Sequence, residues 1–302
     1  MIPLVTHPSY SYEFNTNHRF PMEKFTLLSE YLKRVGILSS ANCFRPGRAK
    51  QQVLEHAHCE HYLHRFIHNT QSAKELRRMG LPWSEGLAKR TLISPNGTLL
   101  AASLALQHGV ACHLAGGTHH AHRDFASGFC ILNDLAITAL TLIRTQRVKR
   151  VLIFDCDVHQ GDGTASILQN ESQAFTCSIH CEKNFPVRKA RSDLDIGLDK
   201  GLEDTAYIDI VVSTFKQLIA DVDPCLVIYD AGVDVFKDDP LGLLSVSEQG
   251  IRERDHQVLA ACQNKNIPVV TVIGGGYDDD RLALAKRHAI VTEEAHRLYA
   301  GA

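Results

Sequence analysis

The chain has 302 residues, with 32 Lys+Arg against 34 Asp+Glu and a formal net charge of −2 when histidine is neutral. That balance argues against a protein built mainly to bind nucleic acid or an anionic membrane, and 44% hydrophobic with 22% charged residues is too apolar for a disordered chain. Length alone allows one or two domains. The unusual counts are 17 His and 9 Cys, which leave metal chemistry open.

The opening residues, Met1-Ile2-Pro3-Leu4-Val5-Thr6-His7-Pro8, carry neither a basic n-region nor a long apolar core, and no uninterrupted apolar run of about 20 residues follows. A cytoplasmic protein is expected. Residues 1–90 read as mainly helical and irregular, packed onto a sheet. His56, His58, His61, His64 and His68 fall here; 61, 64 and 68 share a helical face, and with no strand end beside them they read as structural. Pro95-Asn96-Gly97 reads as a loop ahead of a short helix over 99–107. Apolar, β-branched runs at 110–114, 151–155, 175–179, 226–230 and 269–273 predict parallel strands covered on both faces. Amphipathic stretches at 132–145, 206–219 and 248–263 supply crossover helices between them. The class is α/β with a mostly parallel sheet, and the absence of a linker, repeat or shift in composition makes 1–302 a single domain. The nine cysteines are scattered and form no C-x-x-C, so they read as buried hydrophobes in a reducing compartment rather than as disulfides or a zinc knuckle.

Each strand runs into a polar or glycine-rich segment: Gly116-Gly117-Thr118-His119-His120, then Asp155-Cys156-Asp157-Val158-His159-Gln160-Gly161-Asp162-Gly163, Ser178-Ile179-His180, Asp230-Ala231-Gly232-Val233-Asp234 and Gly274-Gly275-Gly276-Tyr277. In open parallel sheets the ligand crevice lies beyond the carboxyl ends of the strands, so these five segments can meet. In an extended segment Asp157 and His159 point to one side and can grip one ion. Asp234 would complete an Asp/His/Asp set with a fourth position for water, as in catalytic zinc sites, although Fe(II) also suits such ligands. The spare carboxylates Asp155 and Asp162 can each orient one ring of the His119-His120 pair, making two His/Asp dyads beside a metal. Tyr277, after three glycines, can donate to an oxyanion.

Together with Ser127-Gly128-Phe129-Cys130-x-x-Asn133-Asp134, these motifs resemble the zinc-dependent histone deacetylases, in the same order and over most of the chain. Gly80-Leu81-Pro82-Trp83-Ser84 and Asp193-Leu194-Asp195-Ile196 look most like the bacterial relatives of the class IV branch. The resemblance implies an arginase/deacetylase-like fold, a parallel sheet of about eight strands in one deacetylase-like catalytic domain. It implies Asp157, His159 and Asp234 as zinc ligands, His120 as general base and then acid, and His119 as its electrostatic partner. It further pairs Asp155 with His119 and Asp162 with His120, and gives Tyr277 the substrate carbonyl. Phe129 and Phe185 would wall an acyl-lysine channel lined by Gly128 and Gly275. A structural potassium ion would be held by Asp155, Ser178 and the carbonyls of Asp157, His159 and Ile179.

The function so implied is hydrolysis of an N-acyl amine, with acylated lysine in proteins as substrate and no nucleic-acid or membrane partner. Three rivals stand beside it: a deacetylase of small molecules such as acetylpolyamines, a binuclear manganese ureohydrolase, and a catalytically silent acyl-binding or scaffold protein. The mixed-charge loop 187–195, with Arg188, Lys189 and Arg191, reads as solvated. Acyl-chain preference and oligomeric state carry no signature in the sequence.

Overall fold

The computed structural model describes residues 1–15 and 17–301, to which every statement below refers. Eight parallel strands form one sheet: β1 (Leu4–Val5), β2 (Cys43–Phe44), β3 (Val110–His113), β4 (Val151–Asp155), β5 (Ala174–Cys181), β6 (Leu194–Leu198), β7 (Leu226–Asp230) and β8 (Val269–Val272), in the order β2-β1-β3-β8-β7-β4-β5-β6. Ten helices accompany them: α1 (Lys24–Arg34), α2 (Gln51–Leu54), α3 (Glu60–Ile67), α4 (Ala73–Met79), α5 (Glu85–His108), α6 (Asp134–Arg144), α7 (Asp162–Leu168), α8 (Asp204–Val222), α9 (Glu248–Asn264) and α10 (Arg281–Tyr299). The result is a single α/β domain. No helix is long and apolar enough to cross a membrane.

The four central strands are buried along their whole length, as their largely apolar runs require of a sheet covered on both faces. Register then aligns chemistry. Asp155 pairs with Asp230 on one side and with Ser178 on the other, so the ends of β4 and β7 and a point within β5 bring three polar side chains to the same level.

Four expectations need correction. The first 90 residues contribute two strands, β1 and β2, each two residues long and too short for any periodicity to announce. A further edge strand, β6, starts at Leu194 inside the segment read as loop. The expected short helix is the end of α5, which runs unbroken through Pro95-Asn96-Gly97. Proline there removes one helical N–H, but α5 packs on β3, β8 and α6, and this burial outweighs the local break. The Leu92 carbonyl nearby is met at 2.8 Å by the Ala49 N–H. Gly97 serves close approach rather than a turn, because a Cβ would strike the Tyr10 hydroxyl and the His113 ring. The loop at 187–195 is also less free than its charges suggest: Lys189 Nζ donates to the carbonyls of Asn184 (2.7 Å) and Pro186 (2.8 Å), leaving Arg188 and Arg191 exposed.

Candidate active site and metal centre

The site begins where β3 ends. Gly116 and Gly117 have φ of 86° and 80°, a region that favours glycine, and they turn the chain sharply into Thr118. Asp134, in the first turn of α6, accepts from the N–H groups of Gly117 (3.2 Å) and Thr118 (2.8 Å). Asn133 caps the same helix and sends its side-chain amide to the carbonyls of His119 (3.3 Å) and Ala121 (3.1 Å). The His119-His120 turn is thereby pinned from below.

Both dyads form. His119 Nδ1 lies 2.7 Å from Asp155 Oδ2, and His120 Nδ1 lies 2.6 Å from Asp162 Oδ1. All four side chains are largely or fully buried. With Nδ1 committed to a carboxylate, neutral His120 keeps Nε2 as an acceptor. Burial, followed by the charge on His119, lowers the His120 pKa to about 4. His119 goes the other way: burial opposes its charge, but Asp155 and Asp157 overcome that and raise it well above the ordinary imidazole value.

Asp157, His159 and Asp234 also converge, with one ligand atom from each within 4.8 Å of the others and all three buried. His159 Nδ1 faces Asp157 Oδ1 at 3.0 Å and Asp234 Oδ2 at 3.1 Å. Burial and the Asp157 charge push Asp234 up to about 7, while the two carboxylates, against burial, raise His159 to about 10. Two buried carboxylates on one imidazole is a donor set whose excess negative charge a divalent cation would neutralise, so these residues fit a zinc-type ion. Gly275 abuts this group. Its N–H donates to Asp157 Oδ2 at 2.6 Å, and a Cβ there would collide with the carboxylates of Asp157 and Asp234.

Tyr277 and the two phenylalanines complete the approach. The Tyr277 ring lies 6.4 Å from the His159 ring and 5.9 Å from Phe129, while Phe185 stands edge-on to His120 at 4.8 Å. Phe129 thus flanks the tyrosine side and Phe185, 40% exposed, flanks the base side. Gly128 fits between them because a Cβ would lie 2.6 Å from the His120 ring and 3.1 Å from Phe185. Burial, then the Asp234 and Asp157 charges, hold the Tyr277 phenol well above its usual pKa, so it remains a donor.

The potassium expectation divides. The carbonyl oxygens of Asp157 and His159 accept no hydrogen bond among the described residues, as a cation cradle would leave them. Ser178 Oγ, however, is bonded to His180 Nδ1 at 3.0 Å. Asp155 uses Oδ2 on His119 and Oδ1 on the Asp157 N–H.

Several residues escaped the sequence reading. Asp230 is fully buried beside His119 and Asp155 with neither oxygen hydrogen-bonded; burial and the Asp155 charge push its pKa well up. Asp239 accepts from the Tyr277 N–H (2.8 Å) and from Leu241 (2.9 Å), tying the tyrosine loop to the loop after Asp234. Its position before Pro240 in a turn was the available signal. Lys24, on the buried stripe of α1 with Leu28 and Leu32, donates to the Gly274 carbonyl at 3.2 Å. Arg254, fully buried on α9, pairs with Asp255 (2.9 Å) and donates to the Gly232 carbonyl (2.8 Å) under the Asp234 loop. A charge on an apolar helical stripe marks both. His58 is structural as expected, donating from Nδ1 to the His122 carbonyl and accepting the Asn133 N–H on Nε2.

A sheet-end crevice holding two His/Asp dyads, a buried Asp/His/Asp group and a tyrosine defines a hydrolase of the deacetylase class, and comparison with known proteins agrees. The chain belongs to the histone deacetylase family: the model for the histone deacetylase domain matches residues 18–292. Over 98% of this chain and 99% of the other, it is 45% identical to an uncharacterized protein of Picosynechococcus sp.. It is 29% identical to Histone deacetylase 2 of Arabidopsis thaliana (86% of this chain, 70% of the other) and 28% to the acetoin utilization protein AcuC of Staphylococcus xylosus (88% and 74%). Its fold superposes with a TM-score of 0.80 on a histone deacetylase homologue solved in complex with SAHA, covering 99% of this chain and 88% of that one at 22% identity.

Proposed function

We propose that this member of the family is a metal-dependent deacylase that hydrolyses the amide of acylated lysine side chains, with His120 as general base. The observation that carries this is the placement of His120: its Nδ1 is held by Asp162, its ring stands 5.8 Å from that of His159, and burial with the neighbouring His119 charge lowers its pKa. A divalent cation held by Asp157, His159 and Asp234, zinc or Fe(II), would supply Lewis-acid polarisation of the acyl carbonyl and of a water. His120 Nε2 takes a proton from the attacking water as its oxygen adds to the acyl carbon, and returns the proton to the amine nitrogen as the C–N bond breaks. The protonated Tyr277 hydroxyl donates to the carbonyl oxygen as charge develops on it.

The other residues orient and exclude. Phe129 and Phe185 flank the acyl-lysine stem, while Gly128 and Gly275 leave room for it. The acyl group would point into a narrow cavity whose walls include Phe20, Phe25, Phe129 and Tyr277. Potassium at Asp155 and Ser178 would act as a structural counter-ion to the strand ends, supported by the free carbonyls of Asp157 and His159. A reducing, cytoplasmic location is the one that nine free cysteines favour.

The neighbouring group His119, Asp155 and Asp230 also has ligand atoms within 4.8 Å of one another. The binuclear alternative would draw on it, but the His119 imidazolium already supplies one positive charge among these carboxylates. One metal per chain is the expectation. Rates on acetyl-lysine peptides, longer-acyl-lysine peptides and acetylated polyamines, before and after zinc chelation, test the reading. Chelator-sensitive turnover of the peptides supports it. Turnover confined to polyamines moves the substrate to small amines, and tightly bound zinc without turnover on the whole panel leaves a silent binder.

A further inference from the structure

The candidate base does not have Asp162 to itself. Oδ1 of this carboxylate meets His120 Nδ1 at 2.6 Å, and Oδ2 meets His122 Nε2 at 3.0 Å. We propose that His122 is a positioning residue of the site, holding the outer oxygen of Asp162 so that the inner oxygen stays on His120. A carboxylate gripped at one oxygen can swing about its terminal torsion, which is broad for Asp. One gripped at both by two rings cannot. The inference rests on the reading of His120 as the base, and it extends that dyad outward to a third imidazole.

The fixity of His122 is built from independent contacts. Its ring stacks on Phe125 at 4.2 Å with an interplanar angle of 18°, and its main-chain N–H donates to the Phe125 carbonyl at 3.0 Å. The Arg78 guanidinium of α4 covers the Phe125 ring at 3.6 Å. His58 Nδ1 donates to the His122 carbonyl at 2.9 Å, and His58 Nε2 accepts from Asn133, the residue that also holds the carbonyls of His119 and Ala121. Ring and main chain are therefore both anchored to the scaffold that sets the two catalytic histidines. Against burial, the bonds from His120 and His122 hold the Asp162 carboxyl well below the usual range, so it acts as an anion shared between two donors.

His122 reaches partway to solvent, with 16% of its side chain exposed. The charged and titratable groups around it are Asp162 and His120 on the site side, His58 ahead of α3, Arg78 on α4, and Arg123 and Asp124 in its own loop. Arg65 of α3 donates to the Asp124 carbonyl and pairs with Glu75 of α4. Loss of the His122 donor concentrates the carboxylate's charge on the single remaining bond, which raises the basicity of His120 while loosening its orientation.

The test compares His122→Phe, which keeps an aromatic ring against Phe125 but no donor, with His122→Gln, whose amide nitrogen can take the place of Nε2. On an acetyl-lysine peptide with the zinc-loaded chain, His122→Phe is expected to lower kcat by about 10- to 100-fold with KM nearly unchanged. Its acid limb should move to higher pH, and zinc stoichiometry should stay at the parent value. His122→Gln should restore most of the rate. A second readout is independent of turnover: the proton that His120 Nδ1 donates to Asp162 gives a downfield resonance in the NMR spectrum, kept in His122→Gln and displaced or broadened in His122→Phe. An unchanged rate, limb and resonance in His122→Phe overturns the proposal, as does equal impairment of both variants with the resonance unmoved. If the parent chain turns over no acyl amine, the base reading fails by itself, and the resonance alone decides whether His122 positions Asp162.

Discussion

His119 and His120 stand side by side at the end of β3, ring centroids 4.1 Å apart, and each gives Nδ1 to a buried carboxylate. They nevertheless differ in charge. His119 faces Asp155, Asp157 and Asp230, whose combined field outweighs its burial and keeps it an imidazolium. His120 has a single carboxylate, which it shares, and burial together with the neighbouring His119 charge keeps it neutral. One hydrogen-bonded carboxylate is therefore not enough to charge a buried histidine; the number of carboxylates around the ring decides. On the proposed reading the pair divides the work of the site accordingly, a fixed cation beside a free proton acceptor.

Substitutions can break that contrast. His120→Ala should have the largest effect, lowering kcat by about 10²–10⁴ while zinc stoichiometry stays unchanged, because it removes the proton acceptor. His119→Ala should cost less, since it removes a nearby charge. Next comes Tyr277→Phe, expected to lower kcat by about 10²–10³ with substrate binding largely kept, as for a lost oxyanion donor. Near-parental activity in that variant would take Tyr277 out of the chemistry.

A smaller and more specific effect should follow from Asp155→Asn. With one carboxylate gone His119 loses proton affinity, and with less charge beside it His120 gains some. A base works when neutral, so rate is held above its pKa and lost as pH falls through it. The parental acid limb should accordingly lie below the ordinary imidazole value of 6.5, and Asp155→Asn should move it up by on the order of one unit. A limb that stays in place would mean that the two rings are not electrostatically coupled.

What the sequence could convey followed from length and periodicity. β4 and β7, each four apolar residues closed by an aspartate, have the boundaries that their runs predict, and those aspartates lie where a parallel sheet puts its crevice. The two-residue strands β1 and β2 have no period to read. Pro95 and Gly97 misled because tertiary packing overrode a local rule. Within the site, the residues beside glycine turns and in D-x-H spacing were legible. His122 and Asp230 were not, since each acts through a partner distant in sequence, Asp162 and the His119–Asp155 pair; Asp239 announced a turn before Pro240 but not its bond to the Tyr277 N–H. Lys24 and Arg254 did leave a trace, as charges on apolar helical stripes, but only the fold says that they support the Gly274–Tyr277 and Asp234 loops.

The division between the two histidines is open to one direct measurement, the protonation state of each ring nitrogen in the zinc-loaded chain by ¹⁵N NMR at neutral pH. The expected spectrum has His120 neutral, its proton on Nδ1 and Nε2 bare, and His119 protonated on both nitrogens. Two rings in the same charge state, or a proton on Nε2 of His120, would contradict it.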